Sequence, residues 1–456
     1  MFGRTISASG VTELRKRVAG TVCVRGEEGY QRLAAAWNLT ATQEPAVVVA
    51  PSSASDIAQA VRIAGAEGLR VAVQTTGHGA AGLVGGDTPL LNMRTLDGIH
   101  VDGAARIAEV GAGATWDALS RRAATDGLAG LAGIASGIGI AGYTFLGGVG
   151  WLARPRGLAS AALVGVDYVD AAGHIGQADE HADPDALWAF RGGGVGIATG
   201  LRFRLFPHAR LYAGARLWPV EDTPTILARW LAWTASVPPS LTSLAWAFQA
   251  PDAPGIPEPL RGRPVIGVGA CGAEPGGDRA RIADLFAGLP APLLDTFRDR
   301  SPAELSDIHM DPSGPAPALG EGRLLARPDP ATASALFQAS GVADRGPLGF
   351  VELRHLGGAA AAGSTEGALT ALDGEFVLDA AGAPGDAMQA SAVAVQLRQL
   401  AAAAAAVDLG RGIAAFRGGH SDAPGALTPE AAKRLRLLHE QRDPSHMLHR
   451  PMRLSG

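Results

Sequence analysis

The sequence predicts an α+β fold, in which short strands and helices follow one another irregularly along the chain. Apolar runs bounded by Pro and Gly are typical of buried strands, and the run between Pro45 and Pro51 is the clearest example. Apolar residues at helical spacing follow several of these runs. The alternation of strand and helix is too short and too irregular for a doubly wound parallel sheet.

A helix is predicted directly after the first apolar run. Ser53 provides an N-cap and Asp56 is placed to answer it, while Gly68 ends the helix. Three apolar residues share one face of this helix: Ile57, Val61 and Ala64. A second helix is predicted from a cap at Thr115 to about Thr125. Other strand-like runs of this region are Leu69 to Val73, Gly98 to Val101, Arg106 to Val110 and Leu201 to Leu205.

A change of character at Phe206-Pro207-His208 predicts a domain boundary. Beyond it, Pro-rich turns separate helices and strands of a second domain. The elements expected there are a helix over Ile226 to Trp233 and strands over Pro264 to Gly269 and Leu348 to Leu353. An amphipathic helix, Thr428 to Gln441, lies in the tail. We therefore predict an N-terminal domain over 1–208, a second domain over 209–409 with a sheet covered by helices on one side, and a segment over 410–456 that completes the first domain.

Composition excludes several classes of function. The 456 residues are 47% hydrophobic and 18% charged, with a net charge of -5, and no basic run indicates nucleic-acid binding. No apolar segment is long enough to span a bilayer and no signal peptide is visible, so a soluble cytoplasmic protein without a membrane partner is expected. Cys23 and Cys271 are the only cysteines. They are interpreted as structural thiols, and no metal site is predicted.

Glycine-rich segments dominate the N-terminal domain. Residues 127–150 are almost entirely small or aliphatic, a composition that allows close approach of the backbone to a large ligand. Gly137 to Gly142 matches the G-x-G-x-x-G pattern of dinucleotide-binding folds. That pattern requires an apolar strand before it and a long helix after it, and neither flank fits. A nicotinamide-binding site is therefore disfavoured.

The loop from Gln74 to Gly82 is more informative. Its small residues present backbone N–H groups that can cradle a pyrophosphate, and His78 lies among them with little side-chain packing. A lone histidine is more often a surface or core residue than a reactive one, so the spacing alone does not establish a role.

Several segments, in order, resemble the berberine-bridge-enzyme-like oxidases of the vanillyl-alcohol oxidase (p-cresol methylhydroxylase type) flavoprotein superfamily. They are Thr76-Gly-His78-Gly, Gly142 to Leu158, Val169-Asp-Ala-Ala-Gly173 and Asp185 to Gly194. The likeness covers residues 25 to 210 closely. It continues in Glu352-Leu-Arg-His-Leu-Gly-Gly-Ala359 and in the tail, through Lys433 and Asp443 to Leu448. The resemblance implies an FAD-binding domain of the p-cresol methylhydroxylase type and a substrate domain built on an antiparallel sheet with covering helices.

The resemblance also implies that FAD is bound covalently, because His78 matches the histidine that bonds to the 8α carbon of FAD in the family. Relatives often carry a second tether, a cysteine, at the place of Ala135. Ala135 has no sulfur, so attachment through His78 only is predicted. The residues expected to contact FAD are His78, Gln74, Thr75, Thr76, Gly77, Gly79, Gly82, Ala135, Ser136, Gly139, Gly142, Thr144, Gly147, Gly148 and Val169.

The C-terminal segment departs from the family. Relatives often have a Tyr-x-Asn motif that supplies or assists the base, and here Ile413 and Ala415 occupy those places. Another group must then take the substrate's proton as hydride leaves for the flavin. Strand alternation places Glu352 and Arg354 on one face and His355 on the other. The predicted catalytic residues are Glu352, Arg354, Tyr143 and His355, with Asp307, His309 and His420 as weaker candidates; Trp151 and Arg154 are interpreted as structural.

The predicted activity is the two-electron oxidation of a small organic substrate, with molecular oxygen as acceptor and hydrogen peroxide as product. Likeness to bacterial members of the family suggests a role in bacterial secondary metabolism and an alternative in which the flavin inserts oxygen. The missing Tyr and Asn leave open a flavin-holding scaffold for a non-redox cyclisation or isomerisation. A carrier or regulator without activity is a third alternative.

Overall fold

The computed structural model describes residues 5–80, 84–135, 137–312, 314–363, 365–416 and 425–449. Within these ranges the strands form two small sheets, one short ribbon and one large sheet. The first sheet has four strands, antiparallel at one edge and parallel elsewhere. Its strands, in spatial order, are Thr21–Cys23, Val48–Ala50, Leu90–Asn92 and Ala72–Gln74.

The second sheet has five antiparallel strands and packs in the same core as the first. Its spatial order is Ile99–Asp102, Ile107–Gly111, Ile197–Arg204, Leu163–Val169 and Ile175–Ala178. The ribbon pairs Phe206–Pro207 with Leu128–Ala129. These three units belong to the predicted N-terminal domain.

The large sheet is antiparallel and has nine strands among the described residues. Its order is Leu294–Asp295, Leu211–Pro219, Pro264–Gly272, Leu241–Gln249, Phe350–His355, Phe376–Gly382, Leu319–Leu325 and Asp408–Gly412; Arg298–Arg300 also pairs with Leu211–Pro219.

The helices of the described residues are mostly short in the N-terminal domain and longer beside the large sheet. The α-helices are Ala8–Arg17, Tyr30–Ala34, Ala54–Ala66, Trp116–Ala124, Ile140–Phe145, Ala153–Arg156, Pro184–Phe190, Thr223–Thr234, Pro275–Phe286, Pro330–Ala339, Ala359–Ala362, Ala387–Ala404 and Pro429–Arg442. The 3-10 helices are Met93–Thr95, Ala159–Ala162, Val220–Asp222, Glu258–Leu260, Pro302–Asp307 and Ala414–Phe416. None of the helices in the described part of the chain combines the length and the apolarity that crossing a bilayer requires.

The helix Ala54–Ala66 shows how local sequence sets an element boundary. The Ser53 side chain accepts a hydrogen bond from the N–H of Asp56, as predicted. Asp56 does not complete a capping box with Ser53. Its carboxylate instead accepts from the N–H groups of Ser52, Ala19 and Gly20 at 2.8, 2.9 and 3.0 Å, and so ties the N-terminal segment to the helix. Gly68, with φ 68°, follows the helix end because this backbone conformation favours glycine.

The two faces of the large sheet have different partners. Leu353 and Phe376 point to one face, where the helices Thr223–Thr234, Pro330–Ala339 and Ala387–Ala404 complete a core. Leu244 and Trp246 point to the opposite face and join the core of the N-terminal domain. The sheet therefore presents its second face to the glycine-rich segments.

The α+β fold class and the antiparallel sheet with helices on one side are confirmed. The domain limits 208/209 and 409/410 stay predictions. Two observations bear on the last segment: the strand Asp408–Gly412 runs across 409/410 as part of the large sheet, and Val71 exchanges backbone hydrogen bonds with Met447 and His449 at 2.7 and 2.8 Å. The tail thus returns to the N-terminal domain.

Candidate functional site

The His78 loop follows the strand Ala72–Gln74 and is held by backbone contacts. The carbonyl oxygens of Thr76 and Gly77 accept from the N–H groups of Trp37 and Asn38 at 2.9 and 3.2 Å. Gly77 has φ 80°, and a Cβ there would lie 2.8 Å from Ala36. Only glycine fits this approach, so the loop takes a fixed path that presents the next side chain.

His78 presents one ring nitrogen without a partner. Its imidazole stacks on Trp37, with ring centroids 4.2 Å apart and an interplanar angle of 15°. Nδ1 lies 2.9 Å from Oγ1 of Thr76, whereas Nε2 is buried and has no hydrogen-bond partner. Burial lowers the pKa of His78 to about 4, against the opposing effect of Asp311. At neutral pH the ring is uncharged and Nε2 is free for a ligand.

The second glycine-rich segment lies against the His78 loop. A Cβ on Gly139 would lie 2.9 Å from Cγ2 of Thr75, so the two loops touch. Gly142 is exposed and has nothing within 4 Å of a Cβ position. Thr144 is fully buried and its hydroxyl has no partner. Small residues here leave open space beside the loop and a polar group without a protein partner.

Glu352 and Arg354 lie on the face of the large sheet that meets these loops. Both are buried, and Nε of Arg354 donates to Oε1 of Glu352 at 2.6 Å. Nη1 of Arg354 donates to the carbonyl of Val149 at 2.6 Å, in the glycine-rich segment. The structure therefore brings this predicted pair to the interface between sheet and loops.

His309 and Asp311 extend this pair toward His78. Nδ1 of His309 lies 2.8 Å from Oδ1 of Asp311, and Nε2 of His309 lies 3.2 Å from Oε2 of Glu352. The second contact is an ion-pair distance, but neither atom has hydrogen-bond geometry toward a partner. Asp311 in turn acts electrostatically on His78. A row of buried and partly buried polar groups thus runs from the sheet toward the loop.

Asp379 completes the cluster. Neither Asp379 nor Asp311 is among the residues predicted from the sequence. Asp379 lies directly opposite Glu352 in the neighbouring strand and is half-buried. Among the described residues it has no hydrogen bond or ion pair. A lone carboxylate in the apolar strand Phe376–Gly382, and one two residues after His309, were the signals available in the sequence. Strand register, which the sequence alone does not fix, places Asp379 opposite Glu352. Asp311 is not on a strand and reaches the cluster through its contact with His309.

The other candidate catalytic residues have different surroundings. Tyr143 is buried, its hydroxyl has no partner, and burial raises its pKa, although Arg354 opposes this. His355 lies on the opposite face of its strand, as predicted from alternation. There it stacks on Phe376 with centroids 5.3 Å apart, and Nε2 lies 3.1 Å from Nη1 of Arg154. Because it faces the helix layer, the structure does not bring His355 to Glu352.

Of the weaker catalytic candidates, the structure brings one to the cluster and leaves another at the surface. Asp307 is exposed at the end of a 3-10 helix, whereas His309 is in the cluster. His420 lies outside the described residues. Among the predicted FAD contacts, Gly82 and Ser136 also lie outside them.

The other predicted FAD contacts lie in several parts of the N-terminal domain. Gln74 is buried behind the His78 loop and donates to the carbonyl of Ala35 at 2.9 Å. Gly79 lies in the His78 loop and Ala135 lies in the second glycine-rich segment. Gly147 and Gly148 have φ 92° and 74°, and a Cβ on Gly148 would lie 2.4 Å from the Tyr143 ring. Val169 is buried in the five-stranded sheet. Contact of each with FAD stays a prediction.

FAD fits the groups that this site leaves open. The fit rests on Nε2 of His78, the hydroxyl of Thr144 and the open space at Gly142. A large ligand with a reactive ring edge and polar atoms would provide partners for these groups. By contrast, within the described residues no group of three or more His, Cys, Asp or Glu side chains is arranged to hold a metal ion.

Residues 45–179 match the family model described as an FAD binding domain, which assigns the protein to the flavoproteins. The chain therefore carries an FAD-binding domain. It is 32% identical over 205 residues to (R)-6-hydroxynicotine oxidase of Paenarthrobacter nicotinovorans, a match that covers 44% of this chain and 45% of that protein. The chain spans about half the length of the curated relatives it matches.

Solved structures share the fold over nearly the whole chain. The structure of 6-hydroxy-D-nicotine oxidase from Arthrobacter nicotinovorans has a TM-score of 0.80 and 24% identity, covering 96% of this chain and 97% of that one. BBE-like 1 of Physcomitrella patens has a TM-score of 0.82 and 18% identity, covering 98% and 99%. The resemblance to berberine-bridge-enzyme-like flavoproteins and the p-cresol methylhydroxylase type of fold are confirmed.

Proposed function

We propose that this protein is an FAD-dependent oxidase that removes two electrons from a small organic substrate, with FAD attached covalently through His78 only. The observation that carries the proposal is the uncharged imidazole of His78, with a buried Nε2 that has no protein partner, on an FAD-binding domain. Ala135 has no sulfur for a second bond.

The chemistry that FAD supplies when bound is the acceptance of two electrons from the substrate, with molecular oxygen as the final acceptor and hydrogen peroxide as product. The protein's own residues supply the rest. Thr76 and Trp37 orient His78. Glu352 takes the substrate's proton, and Arg354 holds that carboxylate through the 2.6 Å contact. The buried position of both residues excludes water from the reacting group.

Two alternatives remain open to experiment. An oxygen-inserting flavoenzyme would form an oxygenated product instead of hydrogen peroxide. A scaffold for non-redox cyclisation or isomerisation is favoured by Ile413 and Ala415, which stand where relatives often have Tyr and Asn. A role in bacterial secondary metabolism belongs to the proposal and rests only on the resemblance to bacterial members of the family described under Sequence analysis.

Anaerobic mixing with candidate substrates tests the activity. Similar proteins include (R)-6-hydroxynicotine oxidase and reticuline oxidase, and a chitooligosaccharide oxidase shares the fold. Their names suggest a panel of (R)-6-hydroxynicotine, reticuline and chito-oligosaccharide. Bleaching of the flavin absorbance, followed by hydrogen peroxide release when air is admitted, is the expected result. Turnover with unchanged flavin would support the non-redox alternative, and incorporation of labelled oxygen would support the oxygenase.

Acid denaturation tests the tether. We expect yellow colour to precipitate with the wild-type chain and to stay in the supernatant for His78→Ala, because the substitution removes the attaching nitrogen. His100→Ala, at an exposed histidine, is the matched control and should keep the colour on the polypeptide. Colour that remains bound in His78→Ala contradicts the assignment.

A further inference from the structure

Two carboxyl groups face one another across neighbouring strands at the centre of the site. Glu352 on the strand Phe350–His355 pairs in register with Asp379 on Phe376–Gly382. Residues paired directly across antiparallel strands have Cβ atoms about 5 Å apart and project from the same face. Both carboxyl groups therefore project toward the FAD-binding loops, where Arg354 reaches the carbonyl of Val149.

The surroundings of the two carboxyl groups differ. Glu352 is buried between two cations, with Nε of Arg354 at 2.6 Å and Nε2 of His309 at 3.2 Å. Asp379 is half-buried and has no ion pair with a described residue. An opposite charge at these distances favours ionisation of Glu352. Arg354 and His309 also act electrostatically on Asp379, but neither forms an ion pair with it, and burial and the Glu352 charge outweigh them.

His309 is fixed as a cation by a second carboxylate. Asp311 lies 2.8 Å from Nδ1 of His309, and the ring stacks on Trp246 with centroids 4.9 Å apart. Burial alone would lower the pKa of His309, but Asp311 and Glu352 together raise it to about 10. The imidazolium thus persists through the neutral range and keeps its charge beside Glu352.

Two carboxylates this close do not both ionise readily, so their pKa values separate. Burial would raise the pKa of Glu352, but Arg354 and His309 lower it to about 2. Desolvation and the Glu352 anion raise the pKa of Asp379 well above its usual range. The other titratable groups that act on the cluster are Asp311 and, through Arg354, Tyr143.

We propose that Glu352 and Asp379 hold a single proton at neutral pH, with Glu352 as the ionised proton acceptor and Asp379 as the protonated donor that binds the substrate. His309 is the positioning residue that maintains this division. The inference rests on the proposed function and narrows its substrate class. One substrate atom must give a proton to Glu352 and accept a hydrogen bond from Asp379, which a hydroxyl or an uncharged amine does.

Protons and electrons balance in the oxidation of such a substrate. The substrate's O–H or N–H proton goes to Glu352. The hydrogen of the adjacent C–H bond leaves with its two electrons to the redox acceptor of the proposed function, and a C=O or C=N bond forms. Asp379 keeps its proton throughout and stabilises charge that develops on the substrate's oxygen or nitrogen.

Rates of anaerobic flavin bleaching, with the panel member that reduces the wild-type flavin, test the roles. Glu352→Gln should be slowed by about 100-fold or more, because the acceptor is lost. Asp379→Asn keeps an uncharged donor and should be slowed by no more than about tenfold, whereas Asp379→Leu should be slowed by about 100-fold. Equal impairment of Asp379→Asn and Glu352→Gln would overturn the assignment of Glu352 as acceptor and Asp379 as donor. A Glu352→Gln variant with the wild-type rate would also overturn it.

The positioning role of His309 has its own readout. His309→Gln removes a cation beside Glu352, so the acid limb of the bleaching rate should move to higher pH by about one unit or more. An acid limb identical to that of the wild type would overturn the role. Each variant's flavin spectrum at neutral pH verifies that the cofactor site is intact.

Infrared spectroscopy of the substrate-free holoprotein makes the test independent of turnover. At neutral pH we expect a protonated-carboxyl band that shifts in heavy water and disappears in Asp379→Asn. Asp344→Asn, at an exposed aspartate, is the control and should leave the band unchanged. If the wild type lacks this band, the inference is overturned, even where oxidase activity is found. If the band is present, the inference is supported, even where no panel member is oxidised.

Discussion

At the scale of single residues, surroundings rather than residue type set the chemistry of the two histidines nearest the site. His78 is enclosed beside Trp37 and Thr76 and is uncharged, because burial lowers its pKa to about 4. His309 is also buried but lies between two carboxylates, which raise its pKa to about 10. One imidazole therefore offers a lone pair and the other a positive charge, although the sequence presents both as isolated histidines.

This difference predicts how flavin attachment depends on pH. An ordinary histidine is only about 3% uncharged at pH 5, whereas a group with a pKa near 4 is roughly 90% uncharged there. Because burial lowers the pKa of His78, its reactive form is present above pH 4 and is lost only below it. The rate of covalent FAD incorporation into the apoprotein should therefore change little between pH 8 and 5. A decline that begins near pH 6.5 would contradict this.

At the scale of elements, two glycines of the second glycine-rich segment, residues 127–150, have different structural roles. Gly148 has φ 74°, and a Cβ there would lie 2.4 Å from the Tyr143 ring, so this glycine permits the fold. Gly142 lies in the helix Ile140–Phe145, is exposed and faces open space. It has no steric need to be glycine in the protein alone, which indicates that it leaves room for a ligand.

Alanine substitutions should separate these roles. Gly148→Ala should destabilise the protein by about 2 kcal/mol or more, because it combines backbone strain with a ring clash. Gly142→Ala should leave the apoprotein as stable or stabilise it by up to about 1 kcal/mol, yet weaken FAD binding. Thermal unfolding of the apoprotein and FAD titration measure the two effects. Equal FAD affinity in Gly142→Ala and wild type would show that this glycine does not border the cofactor.

At the scale of the whole molecule, a few buried contacts hold the sheet against the N-terminal domain. Arg154, in the helix Ala153–Arg156, donates to the carbonyl of Leu241 at 2.6 Å and also to that of Leu356. Nδ2 of Asn38 donates to the carbonyl of Ala318 at 2.9 Å. These contacts fix the sheet that carries Glu352 relative to the loop that carries His78. The site therefore depends on interdomain packing as well as on its own residues.

Loss of Arg154 should be costly for that reason. Arg154→Met leaves buried carbonyl groups without donors, so the free energy of unfolding should fall by about 3 kcal/mol or more. Arg15→Met is the control, because Arg15 forms an exposed pair with Glu27 and its loss should cost about 1 kcal/mol or less. Denaturant titration of both variants measures the difference. Equal stabilities would contradict the interdomain role of Arg154.

The sequence by itself determined the α+β class, the cap at Ser53, the glycine-rich loops and the placement of His78 in one of them, because each depends on residues close together in the chain. Strand alternation also placed Glu352 and His355 on opposite faces. Only the tertiary structure decided that Asp379 faces Glu352 and that His309 and Asp311 join them. Their meeting depends on strand register and on packing between distant segments, which local periodicity does not encode.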